Sequence, residues 1–313
     1  MTTSLFFSLR ARLPGTSISA PWWILSASLK ASIAILASVL ASAVGQTFGE
    51  PAVTVETAEQ EIAAVVSAGG AILRVRVFRP PGDGPFPLAI VNHGSPASAS
   101  DRPTMPLPTF ASASNWLLEK KYLIALPLRR GYGLTGGVWA EAYGGCGNPD
   151  YYRAGLATAE DIRATLAFFR ARGDVARERA LVIGYSAGGR GSLALASTNP
   201  DGVRAVINFA GGRGGMQPNV PNCMPERLVD AANRYGATAR IPSLWLYAVN
   251  DTFFSRQLSK EMFDAFVHRG GIGAPGIWHQ WPFSVHVVRR TQAMAAAGGC
   301  ISGKPRATMS AVS

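Results

Sequence analysis

Hydrophobic residues recur along this chain in two rhythms. In residues 71–78 apolar and polar side chains alternate (Leu73, Arg74, Val75, Arg76, Val77). With 62–67 on the far side of Ala68-Gly69-Gly70, they predict an opening antiparallel hairpin. The runs 88–92, 122–128, 180–185, 203–209, 241–249 and 276–281 are short and mostly apolar, as strands covered on both faces are. Helical stretches separate them: 110–121, 151–172, a segment following Gly188, a short one near 226–234, then 254–269 and 285–296. The helix at 151–172 has Asn148 as a candidate cap, Pro149 at its first position and Arg172-Gly173 at its end. Alternating β and α units after an antiparallel start imply an α/β fold with a mostly parallel central sheet and helices on both faces. In such sheets ligands bind beyond the carboxyl ends of the strands.

One strand-to-helix junction carries chemistry. Gly184-Tyr185-Ser186-Ala187-Gly188 follows the apolar run Ala180-Leu181-Val182-Ile183 and leads into Gly189-Arg190-Gly191-Ser192-Leu193. A strand, a tight Gly-x-Ser-x-Gly turn and a helix describe the elbow that holds a nucleophilic serine clear of a sheet. The glycines allow the tight turn and the close pass of helix over strand. The helix N-terminus behind Ser186 adds partial positive charge where an oxyanion would form.

A serine hydroxyl needs a base to take its proton, and the base needs a carboxylate to orient it. Asp251 ends the apolar strand Trp245-Leu246-Tyr247-Ala248-Val249, at the same edge as Ser186. Its plainer reading is a turn residue or the cap of the next helix. The chain has four histidines. His93 directly follows a strand, and His268 ends a predicted helix. His279 lies within the last predicted strand, whereas His286 lies just past it. A base must reach across to the serine from a loop, so His286 is the preferred base and His279 the alternative. The order Ser186, Asp251, His286 is then the one expected for this arrangement. Asn92-His93-Gly94-Ser95 leaves the strand 88–92. Its Ser95 N–H and the Ala187 N–H are the candidate oxyanion hole, a pair worth roughly 3–4 kcal/mol per donor.

These stretches, together with Arg129-Arg130-Gly131-Tyr132-Gly133 and Ala248-Val249-Asn250-Asp251, resemble the α/β-hydrolase superfamily over residues 60–297. The resemblance is to exported serine hydrolases related to dienelactone hydrolase and to prolyl-oligopeptidase-type hydrolases. It implies an α/β-hydrolase fold and ester or amide hydrolysis by serine, with no cofactor. Such relatives carry the histidine in a Pro-Phe-x-x-x-Gly-His-like segment. Pro282-Phe283-Ser284-Val285-His286 is shorter and lacks the glycine, which keeps His279 in view. Dienelactone hydrolases use a cysteine nucleophile, and position 186 is serine.

Composition refines the picture. The net charge is +11, but the basic residues stand singly rather than in blocks, so nucleic acid is not an expected partner. Residues 1–30 carry Arg10, Arg12 and Lys30 and no acid. The apolar stretch 31–40 and Ala41-Ser42-Ala43 follow, which is the plan of a secretory signal peptide cleaved after Ala43. The alternative is an uncleaved anchor, although 31–44 is short for a span of about 20 residues. Residues 44–61 then read as a linker, 62–297 as the catalytic domain and 298–313 as a loose tail. The three cysteines lack metal-ligand spacing, so no metal site is expected. In an exported chain one disulfide plus one leftover thiol is the natural pattern. Cys146 and Cys223 both fall in loops at the active-site edge and are the expected pair, leaving Cys300 free. The loops 132–148 and 211–225 are the expected pocket walls. Trp139, Tyr143 and Met216 are candidates for an apolar slot, and Arg130 or Arg213 candidates to meet a carboxylate. Few residues separate Phe209 from Ile241, too few for a large lid, so a small ester is the expected substrate.

Overall fold

Strand β3 (Leu88–Asn92) shows how the sheet is covered. Successive side chains of a strand point to opposite faces. Leu88 and Ile90 accordingly join one apolar cluster, while Ala89 and Val91 join another. The structure is a computed structural model and describes residues 52–215 and 218–275. The expected signal segment, Met216, His279, His286, Cys300, the strand at 276–281, the helix at 285–296 and the tail lie outside the described residues.

The described chain forms β1 (Glu59–Val66), β2 (Ile72–Arg79), β3, helix α1 (Ala111–Glu119), β4 (Leu123–Leu128), α2 (Tyr151–Arg170) and β5 (Ala180–Tyr185). It continues through α3 (Ala187–Ala196), β6 (Val203–Phe209), α4 (Pro225–Thr238), β7 (Ser243–Leu246), α5 (Arg256–His268) and β8 (Gly273–Pro275). The strand order is β1-β2-β4-β3-β5-β6-β7-β8. β1 and β2 are antiparallel, as are β2 and β4, and the remaining pairs are parallel. Leu117 and Leu118 of α1 cover one face with Phe78, Ile124 and Ile183. The other face packs under α2, α3, α4 and α5 through Ile162, Leu195, Leu228 and Met262. This is an α/β fold with an antiparallel start, a mostly parallel sheet and helices on both faces.

Three details differ from the sequence reading. The cap of α2 is Asp150, whose carboxylate accepts from the Arg153 N–H, rather than Asn148. Asn148 Oδ1 instead accepts from Arg227 at 3.4 Å, and Pro149 precedes the cap rather than opening the helix. β7 stops at Leu246, because its ladder with β6 ends at Phe209 and the chain then turns. β8 pairs with β7 from Gly273, ahead of the expected start at 276.

Candidate functional site

Ser186 stands between β5 and α3 with φ 53° and ψ −119°, backbone angles that a side-chain-bearing residue seldom adopts. The surrounding contacts hold it there. Its N–H donates to Phe209 O at 2.9 Å, and its carbonyl accepts from the N–H groups of Arg190 and Gly212. A methyl group on Gly184 would strike the backbone of Gly188 and Gly189, and one on Gly188 would strike Asn92 and His93. The turn therefore tolerates no side chain at either position. Asn92 and Asn208 pair with Gly184 in register from the two flanking strands. Asn92 Nδ2 ties the turn down by donating to Ile183 O at 3.1 Å. Ser186 is partly exposed, and its hydroxyl makes no hydrogen bond to a described residue.

The loop His93-Gly94-Ser95 leaves β3 beside this turn. Gly94 comes so close that an added Cβ would stand 3.1 Å from Ser186 Cβ. Among the described residues, neither the Ser95 N–H nor the Ala187 N–H has an acceptor. Ala187 opens α3, so its N–H is one of the donors that a helix leaves unpaired. His93 is fully buried and holds the loop. Its Nδ1 lies 2.6 Å from Gly94 O, and the Arg129 N–H donates to its Nε2 at 3.2 Å. Nε2 accepts, so Nδ1 carries the proton. Burial, aided by the Arg129 charge, pushes the imidazole pKa down to about 3, and the ring stays neutral.

A buried ionic cluster lies beneath the loop. Glu141 has no exposed side-chain surface and is paired with Arg129 on one side and Arg213 on the other. Burial alone would raise its pKa, but the two guanidiniums hold it well below the usual carboxylate range. Arg129 Nη1 also donates to His93 O at 2.8 Å. Tyr132 Oη lies 2.9 Å from Glu141 Oε2, 3.0 Å from Ser95 Oγ and 3.0 Å from Trp139 Nε1. Glu141 escaped the sequence reading. Its one signal is that it is the only acidic residue in the stretch from Arg129-Arg130 to Pro149.

The other expected wall residues are mostly engaged by the protein itself. Arg130 pairs with the buried Asp161 and with Glu160, and Arg213 with Glu141. Neither guanidinium is left for a foreign carboxylate alone. Trp139 lies under the Arg102 guanidinium at 3.5 Å, and Tyr143 packs against Tyr151 with ring centroids 5.2 Å apart. Cys146 and Cys223 form a disulfide with Cα atoms 5.0 Å apart, joining the loop after Glu141 to the segment before α4. Tyr151 Oη donates to Cys223 O at 2.7 Å.

Asp251 follows β7 in a turn. Its Oδ1 accepts from the N–H groups of Phe253 and Phe254 at 2.8 and 2.9 Å. Burial raises its pKa, and those two bonds partly offset the rise. The cap of α5 is Ser255, so Asp251 does not serve as the helix cap. Its second oxygen has no partner among the described residues. No cluster of His, Cys, Asp and Glu able to hold a metal ion occurs among the described residues.

This fold, with its serine at a strand-to-helix turn, is similar to the fold of α/β hydrolases. The model of the dienelactone hydrolase family matches residues 152–271. None of the curated protein sequences matches the chain. Among solved structures, an esterase of Pyrococcus furiosus is 16% identical with a TM-score of 0.51, covering 76% of this chain and 89% of its own. The acylaminoacyl peptidase of Pyrococcus horikoshii is 16% identical with a TM-score of 0.53, over 74% of this chain and 38% of its own. Dipeptidyl peptidase 4 of Porphyromonas gingivalis is 14% identical with a TM-score of 0.54, over 76% and 35%. The chain thus spans little more than a third of either peptidase.

Proposed function

We propose that the protein is an exported serine hydrolase that cleaves a small carboxylic ester through an acyl-enzyme intermediate. The observation that carries this reading is Ser186, held at φ 53° on the N-terminus of α3 with its hydroxyl free of described partners. Strain of this kind, of order 1–3 kcal/mol, persists only where the surroundings enforce it, and it gathers at functional sites.

In this reading His286, rather than His279, takes the Ser186 proton as Oγ attacks the ester carbonyl. Asp251 orients the imidazole, and its unpartnered oxygen is the one an Nδ1–H needs. The Ser95 and Ala187 N–H groups stabilise the oxyanion. The same histidine returns the proton to the departing alcohol, and water then releases the acid by the same steps in reverse. The Cys146–Cys223 disulfide supports the reading of residues 1–43 as an export signal, since such bonds persist in oxidising compartments.

Labelling with a fluorophosphonate, with the adduct mapped by peptide sequencing, is the direct test. The adduct is expected on Ser186. Ser186→Ala is expected to lose at least about 10³-fold in kcat on a p-nitrophenyl ester while remaining folded. An active Ser186→Ala protein, or an adduct on another serine, overturns the proposal.

A further inference from the structure

Tyr132 Oη has three polar neighbours but only one proton to give. The indole N–H of Trp139 can only donate. Glu141, set between Arg129 and Arg213, is ionised and can only accept. Two oxygens 2.9 Å apart with no proton between them would repel, so the tyrosine proton lies between Oη and Glu141. Both remaining acceptor sites of Oη are then filled, one by Trp139 and the other by Ser95. The Ser95 hydroxyl must be the donor in its 3.0 Å contact with Tyr132.

We propose that Glu141 and Tyr132 are positioning residues for the oxyanion loop. They commit the Ser95 hydroxyl proton to the protein interior, so that Ser95 presents only its main-chain N–H to a reacting carbonyl oxygen. The chain of bonds runs from Ser95 to Tyr132 to Glu141, and the two arginines set its direction. Arg129 grips the other end of the same loop through His93 O. The loop is therefore anchored on both sides of Gly94, which lies against Ser186. A serine hydroxyl free to rotate could itself donate to an oxyanion, and this network removes that choice.

The inference rests on the proposed serine chemistry, but its anchoring half can be measured without turnover. Ser95→Ala keeps the N–H and removes the anchor. Tyr132→Phe removes the anchor from the other side. Each is expected to lower kcat for p-nitrophenyl acetate about tenfold with KM unchanged. The double variant should be no worse than either single one, because both break the same bond. Ser95→Thr, which keeps a hydroxyl, should restore most of the rate. In parallel, hydrogen exchange of the peptide carrying His93 to Ser95 should quicken about tenfold in both single variants, with β5 unchanged. Additive losses in the double variant overturn the proposal, as does unchanged exchange of the loop. It is equally overturned if Ser95→Ala loses 10²-fold or more while Tyr132→Phe keeps full rate, since the hydroxyl would then be the oxyanion donor. If Ser186→Ala loses nothing, the serine reading itself fails, and the exchange data still decide whether the loop is anchored as described.

Discussion

Gly94 and Ser186 approach so closely that a Cβ on the glycine would stand 3.1 Å from the serine Cβ, and as close to the Tyr185 ring. That is tighter than ordinary carbon packing, so one of the two must yield. Ser186 is gripped by main-chain bonds through both its N–H and its carbonyl, whereas the loop is held on either side of Gly94 only through side chains, which leaves the loop the more able to move. Gly94→Ala should therefore shift Ser95 by a few tenths of an ångström and lower kcat by roughly tenfold or more, since misplacement on that scale weakens oxyanion stabilisation. Thermal unfolding should move by only a few degrees. A Gly94→Ala enzyme with the wild-type kcat would mean that the loop is not part of the reacting geometry.

The Cys146–Cys223 bond closes a loop across 77 residues of sequence and joins the two segments that flank the site. Cross-links of this reach stabilise by about 2–5 kcal/mol, chiefly by restricting the unfolded chain. Cys146→Ser and Cys223→Ser should each lower the urea midpoint by the corresponding amount. The double variant should match the single ones, because the same bond is lost. Equal midpoints for wild type and variants would show that the bond contributes nothing to stability.

Glu141 offers a sharper contrast between charge and shape. Glu141→Gln keeps the size of the side chain but leaves Arg129 and Arg213 buried without their shared counter-charge. Breaking a buried ion pair from one side costs about 3–5 kcal/mol, far more than losing an exposed pair. The exposed Lys260–Asp264 pair on α5 is the natural control, and Asp264→Asn should change stability by less than about 1 kcal/mol. Urea denaturation of both variants makes the comparison. Similar small losses in the two would contradict the assignment of Glu141 as a fully desolvated carboxylate.

What the sequence reveals about this site follows from how local each constraint is. The turn at Ser186 is legible because its glycines stand together in sequence around the serine, Gly184 being demanded by Gly188 and Gly189 next to it, although the contacts that demand Gly188 come from Asn92 and His93 on another strand. The strands 88–92 and 180–185 were legible because both of their faces are covered, which leaves unbroken apolar runs. The apolar run 241–249 outlasts β7 because Tyr247, although buried, has already left the ladder. Asn148 and Asp150 both have side chains able to cap α2, and only the backbone geometry selects Asp150. Glu141 was hidden for a different reason. Its partners lie 12 and 72 residues away, and nothing in a glycine-rich loop marks one acid as buried. The pairing of Arg130 with Asp161 was hidden in the same way, because an acid on a helix is by default read as exposed.

His93 gives the fold a pH dependence whose sign can be worked out. Its folded pKa is pushed down to about 3, whereas an unfolded histidine titrates near 6.5. Between these values the unfolded chain binds a proton that the folded chain refuses. Stability from this group is fully present above about pH 6.5 and falls as the pH drops, by up to about 1.4 kcal/mol per pH unit. Glu141 adds a loss of the same sign, but only below its ordinary carboxylate range, because its folded pKa is lowered. Asp161 and Asp251 have raised folded pKa values and act in the opposite sense, taking up protons first in the folded state as acid is added. The window from pH 6.5 to 5 covers the onset of the histidine's loss and lies above the range in which Glu141 contributes. The urea midpoint of the wild type should drop across it. His93→Gln, which retains a donor for Gly94 O, should start lower at pH 7 and change less across the window, because the difference between the two proteins cancels every other titrating group. Parallel midpoint curves for wild type and variant would show that the ring titrates normally and is not held neutral beneath the loop.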